Sequence, residues 1–208
     1  KQRDIRAGFP EDLGLRVHRA ISWLHRAEMA ESDHDAAFIF YWIAFNAAYA
    51  NELRDSALEG KRSVFADSFA RLTALDRSNR IYGVIWQRFP QEIRLLLRNR
   101  YVFKPFWRYQ NGQLGYEQWE ASFEASKRRV AVALQKQDTK TILSTLFDRL
   151  YVLRNQLVHG GATWNSQVNR DQVRDGTRIL AVLVPVFVDL MMDNPNATWG
   201  APYYPVVE

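Results

Sequence analysis

Residues 36–50 read AAFIFYWIAFNAAYA, and only Asn46 among them is strongly polar. At about 3.6 residues per turn, a helix built from this stretch is apolar on every face. Such a helix has no side to offer to water, so the pattern predicts an element buried on all sides at the centre of a helical domain. Asn46 then requires hydrogen-bond partners inside the core. Ser32 or Asp33 supplies the cap at its start, and the helix is expected to run to about Leu53.

Working outward, Pro10 followed by Glu11 and Asp12 opens an earlier helix that reaches about Glu31. Proline lacks an N–H that the first turn leaves unused, and acids meet the positive end of the helix dipole. Residues 63–76 read as a third helix. The segment 79–112 holds Pro90, Pro105 and Asn111-Gly112, which predicts short helices and turns, and it is read as an irregular insertion. A long helix follows from Tyr116 to about Lys136. Asp138 or Thr139 caps the next, TKTILSTLFDRLYVLRNQLVH at 139–159, which stops at Gly160-Gly161 because glycine accepts the left-handed conformation. A last helix spans roughly 168–193, bent at Pro185, and 194–208 form an extended tail. No run of alternating apolar and polar residues signals a strand. The expectation is an all-α fold, a single helical-bundle domain over 1–208.

The composition narrows the chemistry. The 208 residues include no cysteine, which excludes disulfides, thiolate metal sites and a cysteine nucleophile. His18 and His25 lie seven apart on one helix face, but no carboxylate completes a ligand set with them or with His34, so neither metal nor cofactor is expected. Glycine-rich phosphate loops and serine elbows are absent. The charged N-terminus does not read as a secretory signal, although a chain opening on Lys1 leaves room for a missing natural N-terminal part. The longest apolar run, Ile179–Met192, contains Pro185 and Asp189 and is too short to cross a bilayer, so a soluble, cytoplasmic protein is expected. The net charge is +5, and 22 of the 28 basic residues are arginine. Arginine offers a planar fork to phosphate and stacks on bases; a coding bias towards arginine explains the same count.

Within the helix at 139–159, Leu143, Leu146, Phe147, Leu150, Leu153 and Leu157 fall on one stripe, the expected core face. Arg154 lies about 60° from its centre, where a long side chain buries its stem and projects its head. Asp148, Asn155 and His159 share a face pointing away from that stripe. The segment Arg154-Asn155-Gln156-Leu157-Val158-His159-Gly160 resembles the Arg-x(4–6)-His signature of the HEPN superfamily, including a polar residue after the arginine. Its place at the end of a long amphipathic helix, after an early aromatic helix bearing WIAFNAAYA, is similar as well.

The resemblance implies a HEPN-like bundle and a metal-independent endoribonuclease, with Arg154 and His159 catalytic. Histidine exchanges protons near neutrality and arginine stabilises phosphoryl oxygens. One such pair per chain leaves a proton transfer unassigned, which the family solves by homodimerising. Asn155 would orient the pair or bind phosphate, with Asp148 and Asn46 as supporting residues. The family also implies RNA as partner, a setting such as a toxin or antiviral defence effector, and an antitoxin or other regulatory protein. Separately, residues 88–108 interleave Arg98, Arg100, Lys104 and Arg108 with aromatic residues including Trp107, the mixture that binds single strands; the plainer alternative is a small aromatic core under solvated arginines. Two other readings stay open: a HEPN-type module that binds RNA or protein without catalysis, and a domain in which Arg154 and His159 merely finish a helix.

Overall fold

The computed structural model describes residues 1–49 and 65–206, and every regular element in them is helical. In chain order these are α1 (Gln2–Ile5), α2 (Glu11–Glu28), α3 (His34–Tyr49), α4 (Ala66–Leu75), α5 (Arg80–Gly83), α6 (Pro90–Leu97), α7 (Lys104–Gln110), α8 (Trp119–Gln135), α9 (Thr139–Val158) and α10 (Arg170–Asp193). Short 3-10 turns at Arg6–Gly8 and Arg100–Val102 and a π-helical turn at Val84–Arg88 join some of them. The fold is all-α. The expected end near Leu53 and start near 63 lie outside the described residues.

Local chemistry fixes most of the boundaries. Asp33 Oδ1 accepts the Ala36 N–H at 3.0 Å, and Asp138 Oδ1 accepts the Thr141 N–H at 3.0 Å. Asp76 accepts from both Arg80 and Ile81, at 2.9 and 2.7 Å, and so starts α5. Each carboxylate satisfies N–H groups that the first turn leaves without a helical partner. Pro10 is the N-cap of α2, so the helix opens at Glu11, one residue later than expected. Pro185 lies inside α10, where it removes one backbone donor without ending the helix.

Helices α2 and α3 form an antiparallel hairpin. Trp23 stacks on Phe40 with ring centroids 5.8 Å apart, and Arg16 reaches the carbonyls of Ala47 and Ala48 at the other end. Helix α10 runs alongside α3 in the same direction: Thr177 bonds the His34 carbonyl near their starts, and Phe45 meets Phe187 further on. Helix α9 crosses both, and the Phe147 ring lies 4.5–6.1 Å from those of Trp42, Phe45, Phe69 and Phe187. Full burial of such a ring contributes roughly 2–3 kcal/mol, with about 0.5–1.5 more for each well-oriented ring pair. Leu143, Leu146, Leu150 and Leu153 are buried with it, so the stripe read from the sequence is the core face.

Two expectations are corrected. Helix α3 is not enclosed on all sides: Ile39, Ile43 and Asn46, one helical face, are half-exposed. Asn46 therefore stands at the edge of the core, where water can satisfy it. Nor is 79–112 an insertion throughout, because Ile81, Val84, Ile85, Phe89, Ile93, Leu96, Leu97 and Val102 belong to the main core. A separate cluster begins only at Phe103, with Phe106, Trp119 and Phe123. Residues 194–206 fold back over α2 and α4, held where Arg16, Arg19 and Arg71 donate to the carbonyls of Gly200, Ala201, Tyr204 and Thr198.

Candidate functional site

Helix α9 ends in a two-glycine lock. Gly160 adopts φ +68°, the Gly161 N–H bonds the Gln156 carbonyl at 2.7 Å, and the Gly160 N–H reaches that of Leu157 at 3.4 Å. These two bonds make a Schellman closure, which only a residue tolerant of positive φ completes without strain. His159 occupies the cap position just before the glycines, and its side chain is exposed. Asn155, one turn earlier, shares its face and holds its backbone: the His159 N–H donates to the Asn155 carbonyl at 3.0 Å.

Arg154 leaves the helix about 140° round from His159 by helical geometry. Its half-buried side chain turns towards that face, for Arg154 Nη1 donates to Asn155 Oδ1 at 3.0 Å. Asn155 is thus the hinge of the motif, drawing the guanidinium to the side where the imidazole projects. A guanidinium with one donor engaged keeps four for phosphoryl oxygens.

The loop after the motif is bound to the start of α3. Trp164 Nε1 donates to Asp33 Oδ2 at 3.2 Å, and the Asn165 N–H donates to Asp35 Oδ2 at 2.8 Å. Asp35 also pairs with Arg170 at 2.5 Å. The N–H of Ala36, and then the indole of Trp164, hold the Asp33 carboxyl below the usual carboxylate range. Trp164 remains 74% exposed, and Val158 and Val168, before and after it in the chain, are exposed too.

The other flank of α9 meets the small aromatic cluster. The Tyr101 carbonyl accepts from Gln156 Nε2 at 2.6 Å and from Trp107 Nε1 at 2.7 Å, which ties the segment before α7 to the turn that carries Asn155. Phe103 and Phe106 are core residues, as the plainer alternative had it, whereas Tyr101, Trp107 and Tyr109 keep part of their rings in solvent. Arg100 folds over the Tyr101 ring at 5.0 Å, and Arg98 is exposed at the end of α6. Arg108 bonds and stacks on Tyr116. Lys104 is exposed at the head of α7, within electrostatic reach of Arg108 and Asp148; partial burial and then Arg108 push its pKa down, against Asp148.

The structure therefore brings Arg154, Asn155 and His159 to one turn, and Lys104, Arg108 and Asp148 to a second place further back along α9. It does not bring Asn46 to the motif. Phe45 packs on Phe147 while Phe38 lies close to Leu150 across Gly176, so α3 and α9 run in opposite senses. Asn46 is accordingly level with the first half of α9, and His34 with its end. Sequence reasoning missed Gln156, which nothing local distinguishes, and Arg149, which is buried against the aromatic cluster. Its signal was present in one respect: Arg149, Val152 and Gln156 form a row at i, i+3 and i+7, a second contact face beside the leucine stripe. Among the described residues no three His, Asp or Glu side chains gather as a metal site requires, and no helix is long and apolar enough to cross a membrane.

Compared with known proteins, the chain matches no family model, and no curated protein or solved structure is significantly similar to it.

Proposed function

We propose that the chain is a metal-independent endoribonuclease of HEPN type that acts as a homodimer. The observation that carries this reading is the Arg154–Asn155 bond at 3.0 Å, which swings the guanidinium towards the face of exposed His159. In the proposed reaction a ribose 2′-oxygen attacks the adjacent phosphorus and the bond to the 5′-oxygen breaks. A 2′,3′-cyclic phosphate and a free 5′-hydroxyl result. His159 of one copy takes the 2′-OH proton, and His159 of the second copy protonates the leaving 5′-oxygen. Arg154 stabilises the charge on the equatorial oxygens. Exposed Val158, Trp164 and Val168, which lie close to His159 in the chain, suit burial against a second copy. A toxin or defence role held in check by an antitoxin or other regulator accompanies this activity in the proposal.

The test is cleavage of a fluorophore-quencher RNA by the parent, His159→Ala and Arg154→Ala proteins in the presence of EDTA, with oligomeric state read by light scattering. Each substitution is expected to abolish cleavage and to leave stability within about 1 kcal/mol, since neither side chain lies in the core. Cutting at the parental rate by either variant refutes the assignment. A second reading, a HEPN-type module that binds RNA or protein without catalysis, gains support from the same exposed Trp164. RNA binding without cleavage, weakening with salt, selects it.

A further inference from the structure

Five charged side chains gather where α7, α8 and α9 join, and the motif at the end of α9 leaves them without a task. Arg149 is at their base. It is only 4% exposed, donates Nη2 to Ser126 Oγ at 2.9 Å, and lies against the Phe103 and Phe123 rings at 4.5 and 6.0 Å. Its Nε is enclosed with no acceptor among the described residues. Asp148 is within electrostatic reach of it, as is Arg129, which projects from α8 one turn beyond Ser126. Lys104 follows Phe103 directly and also feels Asp148, and Arg108 is one turn further along α7, braced by Tyr116. Lys104 and Arg149 thus share the field of one carboxylate, with Arg108 and Arg129 as further cations beside them. Packing α8 on α9 requires no such arrangement, because a buried guanidinium is costly beside an apolar side chain of the same size.

We infer that this junction is a seat for a phosphodiester group of a nucleic-acid strand. Lys104, Arg108 and Arg129 grip the phosphate oxygens from the rim, and Arg149 supplies a fixed positive field from beneath. Trp107 and Tyr109, partly exposed on α7, offer ring faces to adjoining bases. The inference rests on the ribonuclease reading for the nature of the anion. At about 1.5 Å per residue along α9, Arg149 lies some 15 Å from His159, so a strand seated here runs on towards the motif.

The experiment uses fluorescein-labelled deoxydecathymidylate, which lacks the 2′-hydroxyl and so reports binding apart from cleavage. Arg149→Gln endangers the fold, so the exposed rim carries the test. Lys104→Glu and Arg129→Glu are each expected to weaken binding by about tenfold at roughly 50 mM salt, and together to flatten the slope of log affinity against log salt by about 2. Arg6→Glu, on the 3-10 turn near the N-terminus, is expected to change affinity less than about twofold. Rim variants that bind like the parent overturn the seat, and so does an equal loss from Arg6→Glu, which reports net charge alone. Rim-dependent binding without any RNA cleavage keeps the seat and removes the ribonuclease reading. Cleavage of RNA with KM unchanged by the rim variants does the reverse.

Discussion

Gly160 and Gly176 show two different reasons for a glycine. At Gly160, φ is +68° and an added Cβ meets open space, so Gly160→Ala isolates backbone strain from crowding. The expected cost is about 1 kcal/mol in chemical denaturation. At Gly176 the backbone is helical, but an added Cβ would lie 2.8 Å from the Phe38 ring and 3.1 Å from Leu150 Cδ2. Gly176→Ala is expected to cost more, about 1–3 kcal/mol, because the α3–α10 contact and the crossing α9 must part. The first glycine was legible in the sequence, since a helix stop is written within one turn of chain. The second was not, because its neighbours come from residues 26 and 138 positions away. The same division holds for the candidate site: Arg154, Asn155 and His159 could be read from one helical turn, whereas helical spacing put Arg149 on a second contact face without showing that it is buried.

Among the elements, α3 joins the start of the bundle to the motif. Its cap Asp33 holds the Ala36 N–H and the Trp164 indole, and both bonds require the carboxylate. The folded state keeps its pKa below the ordinary value. The stability it adds is therefore fully present above about pH 4, the unfolded carboxylate range, and is lost as pH falls through the depressed folded value. Asp33→Asn retains a capping oxygen but does not titrate. It is expected to flatten the decline in stability between about pH 5 and pH 2, followed by denaturant midpoints at each pH. Parallel slopes in parent and variant would remove Asp33 from the acid response.

At the scale of the whole molecule, the arginine surplus divides into two uses. Arg16, 1% exposed, donates among the described residues to the carbonyls of Ala47 and Ala48 at the end of α3 and of Gly200 and Ala201 in the tail. Arg80 pairs with Asp189 and Asp193, and Arg170 with Asp35. These guanidinium groups hold the chain together and say nothing about an anionic partner. Arg16→Met fills similar space but strips those carbonyls of their donor, and is expected to cost about 3 kcal/mol or more in urea denaturation. Proteolysis of the residues after Asp193 should accelerate with it. The sequence by itself determined the helical class, the helix starts to within a residue at 32–33 and 138–139, the stop at Gly160 and the leucine stripe of α9, because caps and periodicity act within a turn or two of chain. Only the tertiary structure decided that residues up to Val102 join the main core, that Asn46 lies away from the motif, and which arginines are structural. Burial and pairing depend on which distant surfaces meet, and local polarity carries no record of that.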